Sequence, residues 1–388
     1  MVDLARSFQT LLETAKAVFG GVAVDDSRAG ARRSRVVRRC GTLEASLEMP
    51  IEKPAWFRMA QRRPLSAAPD LPRPAPLLFD AEHRPVQTLG EWLKRKVDLR
   101  KPWRNFLGVY DQPRGGNAFQ VVREDHPEGV VRRLVRYESE PGELVQGYLL
   151  APDQPGQGRP GVVVLHATSD LTIRQPAGVE GPGELHIGLH MAQRGYVVFC
   201  PECFLWRHGK PGQPQTAVEW LKARHPTATG MAKMLFDASR AVDILAAQPG
   251  VDPRRLGAIG HSLGGKEALY LAAFDERVRA AVASEPGIGL AQSNWNAPWY
   301  LGDAIKKPDF HLDHGQILGL VAPRAFLLIG GESADGDQSW PYIAQALAVW
   351  RLTGEPDGVG LYNHRKGHAF PAVAQSHADD WLDWFLRA

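Results

Sequence analysis

The sequence predicts an α/β protein on a mostly parallel central sheet with helices on both faces, carried by residues 111–388. Three observations point there. From about Val130, short β-branched runs alternate with amphipathic helical stretches. Gly161-Val-Val-Val-Leu-His166 is apolar almost throughout, as in strands buried on both faces. The alternation then runs to the end of the chain without an internal repeat.

VVRRLVRYES and LVQGYLLAP read as an opening antiparallel pair, followed by the buried strand at 161–166. ELHIGLHMAQRG is a helix leading to the strand YVVFCPE, and MLFDASRAVDILAA a helix leading to RLGAIG. The helix after Ser262 leads to VRAAVASEPG. RAFLLIGG, the helix WPYIAQALAVWRLTG, the strand GVGLYNH and a last helix ending DDWLDWFLRA complete the series.

Residues 1–110 read as an N-terminal extension. Leu4, Phe8, Leu11, Leu12, Ala15 and Phe19 recur at helical spacing over the first 20 residues. From about Asp25 to Pro85 the chain is rich in Arg and Pro, which predicts an extended, mobile stretch. Helix resumes around Glu91–Phe106, where Trp92, Leu93, Leu99, Trp103 and Phe106 offer anchors for a cap on the catalytic domain.

Composition narrows the class. With 44% hydrophobic and 23% charged residues, the chain fits neither a disordered nor a membrane protein. It lacks a window near the roughly 20 apolar residues of a membrane helix and a recognisable signal segment, so a cytoplasmic location is expected. Cys40, Cys200 and Cys203 are too few for a disulfide framework, and Cys200-Pro-Glu-Cys203 has no second pair to complete a zinc site. Both of its cysteines read as strand-end packing. Six arginines fall between Arg28 and Arg39 without interleaved aromatic residues, the mark of a solvated basic segment rather than a nucleic-acid surface. Neither a nucleic-acid nor a membrane partner is expected.

Gly260-His261-Ser262-Leu263-Gly264 lies between the strand RLGAIG and a helix. A serine on a strained strand-to-helix turn needs small residues on both sides, which makes Ser262 the candidate nucleophile. Serine is a weak nucleophile until a base takes its proton. His368, in Arg365-Lys-Gly-His-Ala-Phe-Pro371 after the last strand, is the candidate base; His364 sits at the strand end and His377 inside a helix, both better suited to structural roles.

GHSLGGKEALYLAAFDERVRAAVASEPGIG, APRAFLLIGGESADGDQSWPYI and KGHAFP resemble the dienelactone hydrolase and acetylxylan esterase branch of the α/β-hydrolases, including esterase-like relatives of the glucuronoyl esterases. The resemblance covers about residue 130 to the end, and WLKRKVDLRKPWRNFLG is similar to a cap segment of such proteins. It implies the α/β-hydrolase fold with an N-terminal helical and extended cap, and a serine carboxylic ester hydrolase forming an acyl-enzyme, with no metal and no organic cofactor. Dienelactone hydrolases proper use cysteine where this chain has Ser262, and glucuronoyl esterases carry arginine where it has Leu263. Both departures point to short, acetyl-type acyl esters of sugars or aryl alcohols.

In this architecture the triad acid usually follows the strand RAFLLIGG. Asp337, four residues before Pro341, fits the D-x-x-hydrophobic-Pro arrangement there and takes first place; Asp335, nearer the strand end, is the second candidate. Glu285, ending the preceding strand, is the third, a position some glucuronoyl-esterase relatives use. The oxyanion donors expected are the backbone N–H of Leu263 and that of Ala167 or Thr168, with His166 shaping the loop. Trp295, Trp299, Tyr300 and Trp206 follow strands on the side where this fold binds ligands; Trp295 and Trp299 are the candidate substrate contacts, with cap packing the alternative for each. His311, Asp313 and His314 are close in sequence but lack a further metal ligand. Two other functions stay open: a peptidase-like serine hydrolase, for whose usual propeller domain the chain has no room, and a non-catalytic binding protein on the same fold.

Overall fold

A computed structural model describes residues 52–108, 110, 112–209 and 213–387. The expected helix over residues 1–20, the Arg28–Arg39 run and Cys40 lie outside the described residues. Residues 53–388 form one compact unit.

Among the described residues the sheet has nine strands: β1 (Phe119–Asp125), β2 (Val130–Glu140), β3 (Glu143–Pro152), β4 (Arg159–Leu165), β5 (Val197–Pro201), β6 (Val251–His261), β7 (Val278–Ser284), β8 (Ala325–Gly330) and β9 (Val359–Asn363). Their order is β1-β2-β3-β5-β4-β6-β7-β8-β9. The first three strands run antiparallel, β3 pairs antiparallel with β5, and every later pairing is parallel. The strands and helices read from residue 130 onward therefore all form, and β1 extends the sheet by one outer strand beyond the expected opening pair.

Parallel strands need helical crossovers, and these cover both faces. The helices are α1 (Leu89–Leu107), α2 (Ile187–Gln193), α3 (Phe204–His208), α4 (Gln215–Arg224), α5 (Gly230–Ala246), α6 (Leu263–Phe274), α7 (His314–Val321), α8 (Trp340–Leu352) and α9 (Ala372–Arg387). The strand period of two splits the apolar residues into two cores. Val163, Leu165 and Phe199 face Leu245, Leu269, Ile317 and Ile343 on one side. Val162, Val164 and Val198 face Ile187, Met191, Trp381 and Leu386 on the other. Cys200 and Cys203 are free, buried thiols assigned to opposite cores, so the C-x-x-C spacing reflects packing on two faces.

The N-terminal segment departs from the expectation of mobility where it is described. A single helical turn, Phe57–Ala60, lies across the β9 edge; Phe57 is fully buried, 4.9 Å from the Trp381 ring, and the Trp56 indole donates to Asp380 at 2.8 Å. The Gln61 amide donates to the Pro356 carbonyl at 2.6 Å. Covering a sheet edge removes an open row of backbone donors and acceptors. Leu77 is buried beside Gly319 of α7. Thr88 and Glu91 form a reciprocal cap that starts α1, and Trp92, Leu99, Trp103 and Leu107 fix one face of it to the domain. Arg/Pro-rich composition thus concealed anchors spaced too widely for a periodic pattern.

Candidate active site

Strand β6 ends at His261 and α6 begins at Leu263, so Ser262 occupies the turn between them, with φ +57° and ψ −116°. Such a conformation is strained for a residue with a Cβ, and the neighbours explain why it persists. A Cβ on Gly260 would lie 2.2 Å from the backbone of Gly264, and one on Gly264 would lie 2.0 Å from the Leu165 carbonyl oxygen. The turn is also tied down by the Ser262 N–H donating to the Ser284 carbonyl at 2.8 Å.

His368 lies on the loop between β9 and α9, with Nε2 2.9 Å from Ser262 Oγ and Nδ1 3.3 Å from Glu285 Oε2. An ionised carboxylate only accepts, so Nδ1 carries the proton and Nε2 is left to accept from the serine hydroxyl. Glu285 follows β7 with φ +52°, which turns its side chain beneath the imidazole. It is buried and accepts from the backbone N–H groups of Gly331, Ala334 (2.6 Å) and Asp335 (3.3 Å). The loop after β8 therefore supplies donors to the carboxylate rather than the carboxylate itself.

The two aspartates placed ahead of Glu285 are engaged elsewhere, and it is Glu285 that the structure brings to His368. Asp337 accepts from Arg365, Asn363 and Ser66. Asp335 accepts from the N–H groups of Gly287 and Ile288 and from the Ser339 hydroxyl, and so shapes the turn that follows Glu285. Burial, partly offset by these donors, pushes the Asp335 carboxyl up to about 6.

His166 behaves as a loop brace. The Cys203 N–H donates to Nε2 at 3.2 Å, so Nδ1 holds the proton and donates to the Ala167 carbonyl at 2.8 Å. Burial lowers its pKa to about 4, which keeps the ring neutral. The contact of Gly264 with the Leu165 and His166 carbonyls sets this loop, with Ala167 and Thr168, against the start of α6 at Leu263.

Trp295 is a core residue: its ring is fully buried and its indole donates to the Gly287 carbonyl at 2.6 Å, so it is not available to a substrate. Trp299 is half-buried beside Tyr300, and Trp206 packs its ring against His166 while its indole donates to Asp170 at 3.3 Å. His314 uses both ring nitrogens within the core, with the Tyr270 hydroxyl and the Ile288 carbonyl; Asp313 caps α7; and His311 approaches the Asp309 carbonyl. Those three do not converge.

Sequence reasoning passed over two polar groups. Lys266, one turn beyond Ser262, is buried and donates to the Pro286 carbonyl and to Ser293 Oγ (2.7 Å), with its ammonium 4.4 Å from the Trp295 ring centroid. Burial lowers its pKa to about 7 against the opposing pull of Asp335 and Glu285. Its position in Gly-Gly-Lys directly after the serine motif was the available signal. His261 faces Ser284 Oγ at 3.0 Å with its ring 4.9 Å from that of His368. Burial, then the neighbouring His368, lower its pKa to about 4.

Residues 145–308 match the Dienelactone hydrolase family. With the strand order and the Ser262 turn, that match decides the class. The chain has the α/β-hydrolase fold, and over residues 145–308 it is similar to the dienelactone hydrolase branch. Among related sequences, this α/β-hydrolase is 26% identical over 166 residues to 4-O-methyl-glucuronoyl methylesterase 1 of Sodiomyces alcalophilus, covering 35% of the chain and 33% of that protein. It is 25% identical over 193 residues to 4-O-methyl-glucuronoyl methylesterase of Podospora anserina, covering 42% and 40%. The chain thus spans well under half the length of either. Among solved structures, a glucuronoyl esterase from Solibacter usitatus superposes with a TM-score of 0.66 at 18% identity, over 81% of this chain and 98% of that one, a likeness of fold. Among the described residues no helix is long and apolar enough to cross a membrane.

Proposed function

We propose that this α/β-hydrolase is a serine carboxylic ester hydrolase acting on sugar esters, with Ser262, His368 and Glu285 as its triad. The observation that carries the reading is the unbroken relay from Ser262 Oγ through His368 to buried Glu285, built on a strained turn. Ser262 Oγ attacks the ester carbonyl while His368 Nε2 takes its proton, and Glu285 stabilises the imidazolium. Negative charge on the carbonyl oxygen is met by the Leu263 N–H and that of Ala167 or Thr168. His368 then gives the proton to the departing alcohol, and water, activated by the same base, releases the acid from Ser262.

A carboxylate at the end of β7 adds weight to kinship with glucuronoyl esterases, and the relatives named above support an ester on a sugar or sugar acid. Leu263, where those enzymes have arginine, favours the short acyl esters. Trp299 is the remaining candidate for a ring contact. The buried, free Cys200 and Cys203 support a cytoplasmic location.

The test uses p-nitrophenyl acetate, an acetylated xylo-oligosaccharide and a methyl ester of glucuronic acid, with Ser262→Ala as the control. Turnover of at least one ester by the parent chain, its loss in a folded Ser262→Ala variant, and fluorophosphonate labelling confined to the parent are expected. Comparable hydrolysis by both proteins overturns the proposal, and the preferred ester separates an acyl-sugar from a uronate esterase.

A further inference from the structure

Asp337 is nearly buried, and its partners converge on the loop that carries His368. Its carboxylate accepts from Arg365 Nη2 at 2.7 and 2.9 Å, from Asn363 Nδ2 at 2.8 Å and from the Ser66 hydroxyl. Arg365 Nη2 also donates to Ser66 Oγ at 2.7 Å, closing a triangle among three distant parts of the chain. These bonds outweigh burial and hold the Asp337 carboxyl below its usual range.

Arg365 stands three residues before His368 and has φ +58°; Glu332, facing it, has φ +67°. Left-handed conformations in residues with side chains cost on the order of 1–3 kcal/mol each and last only where the surroundings over-determine them. Here the surroundings are mutual: Arg365 Nη1 lies 3.4 Å from Glu332, and the Asn363 amide bridges Glu332 and Asp337. The far end of the loop is fixed separately. Gly367 N–H donates to the Gly331 carbonyl at 2.7 Å, and the Gly331 N–H in turn donates to Glu285. The imidazole of His368 thus hangs between an ionic clasp on one side and a backbone link to its own carboxylate partner on the other.

We infer that Asp337 is a positioning residue: through Arg365 it sets the His368 loop, and through Ser66 it makes the N-terminal segment part of the catalytic apparatus. The inference rests on the reading of His368 as the base. The competing view is an ordinary surface ion pair, which contributes roughly 0–1 kcal/mol and leaves the reaction alone.

Steady-state kinetics on the full chain, with Asp337→Asn, Arg365→Ala and the double variant, separate the two. Displacing a reacting group by about 1 Å can cost a hundredfold, so kcat is expected to fall about ten- to a hundredfold with KM within about twofold. The double variant should be no worse than the poorer single one, because one unit is broken either way. Added guanidinium ion should restore kcat to Arg365→Ala but not to Asp337→Asn. Hydrogen exchange at the Arg365–Ala369 amides should quicken in Asp337→Asn, a readout that needs no turnover and so stands even if the esterase reading fails. Arg365→Lys replaces any variant that does not fold. Unchanged exchange with unchanged kcat overturns the inference, and so does a loss in Asp337→Asn as deep as that in Glu285→Gln, which would make Asp337 the triad acid.

Discussion

A serine flanked by Gly260 and Gly264 announces itself because the turn leaves no room for other residues, and chain order then isolates His368. The carboxylate proposed as the triad acid was not legible in the same way. Asp337, Asp335 and Glu285 all follow strands, and what selects among them is a torsion: φ +52° at Glu285, a conformation no local pattern in Ser-Glu-Pro-Gly foretells. The D-x-x-hydrophobic-Pro arrangement served equally well for a turn whose carboxylate meets Arg365. Losing a triad acid leaves the imidazole without an anchor for its tautomer, at a cost of about ten-thousandfold in kcat. Glu285→Gln is therefore expected to lower kcat by on the order of a thousandfold or more, with circular dichroism unchanged. A Glu285→Gln enzyme within tenfold of the parent would return the role to one of the aspartates.

Most strands and helices of the sheet layer were visible in the sequence, because burial on both faces demands continuous apolar runs and crossovers demand amphipathic ones; the short buried helix α7 was not, and neither was the outer strand β1. The segment from 53 to 79 was not, since its grip depends on isolated side chains. Phe57 contacts Trp381, Trp384 and Phe385 across more than 300 residues of chain, a pairing that only the fold reveals. Removing a buried phenylalanine costs about 3–5 kcal/mol when the site cannot collapse, so Phe57→Ala should shift the denaturant midpoint sharply at constant m. Deleting residues 1–70 would strip both Phe57 and Ser66 and is expected to destabilise the domain. A Phe57→Ala loss below about 1 kcal/mol would mean that the segment rides on the domain without holding it.

At the scale of the whole molecule, the polar groups that organise the site also set its response to acid. His166, His261 and His314 are buried, and desolvation lowers them to about 4, about 4 and about 3. His314 shows why it stays neutral: the Ile288 carbonyl can only accept, so Nδ1 holds the proton, and Nε2 accepts from the Tyr270 hydroxyl. In the unfolded chain each histidine takes up a proton near pH 6.5, while in the folded one it does not until much lower. The unfolded state thus binds more protons across this interval, and stability is lost as pH falls from about 6.5 towards 4. Glu267 and Asp335 act with the opposite sign. Burial raises them to about 8 and about 6, so their contribution is present at low pH and lost as pH rises. Burial also lowers His225 and His364, which add to the loss, and raises Glu202 and Asp313, which oppose it; the histidines still prevail, and thermal melts at a series of pH values would record the net loss on acidification as a falling Tm. His314→Gln removes one of these histidines while keeping amide donors and acceptors in reach of Tyr270 and Ile288. Its Tm should start lower at neutral pH and fall less steeply between about pH 6.5 and 4 than that of the parent. Parallel curves for the two proteins would show that the buried histidines do not govern the acid limit.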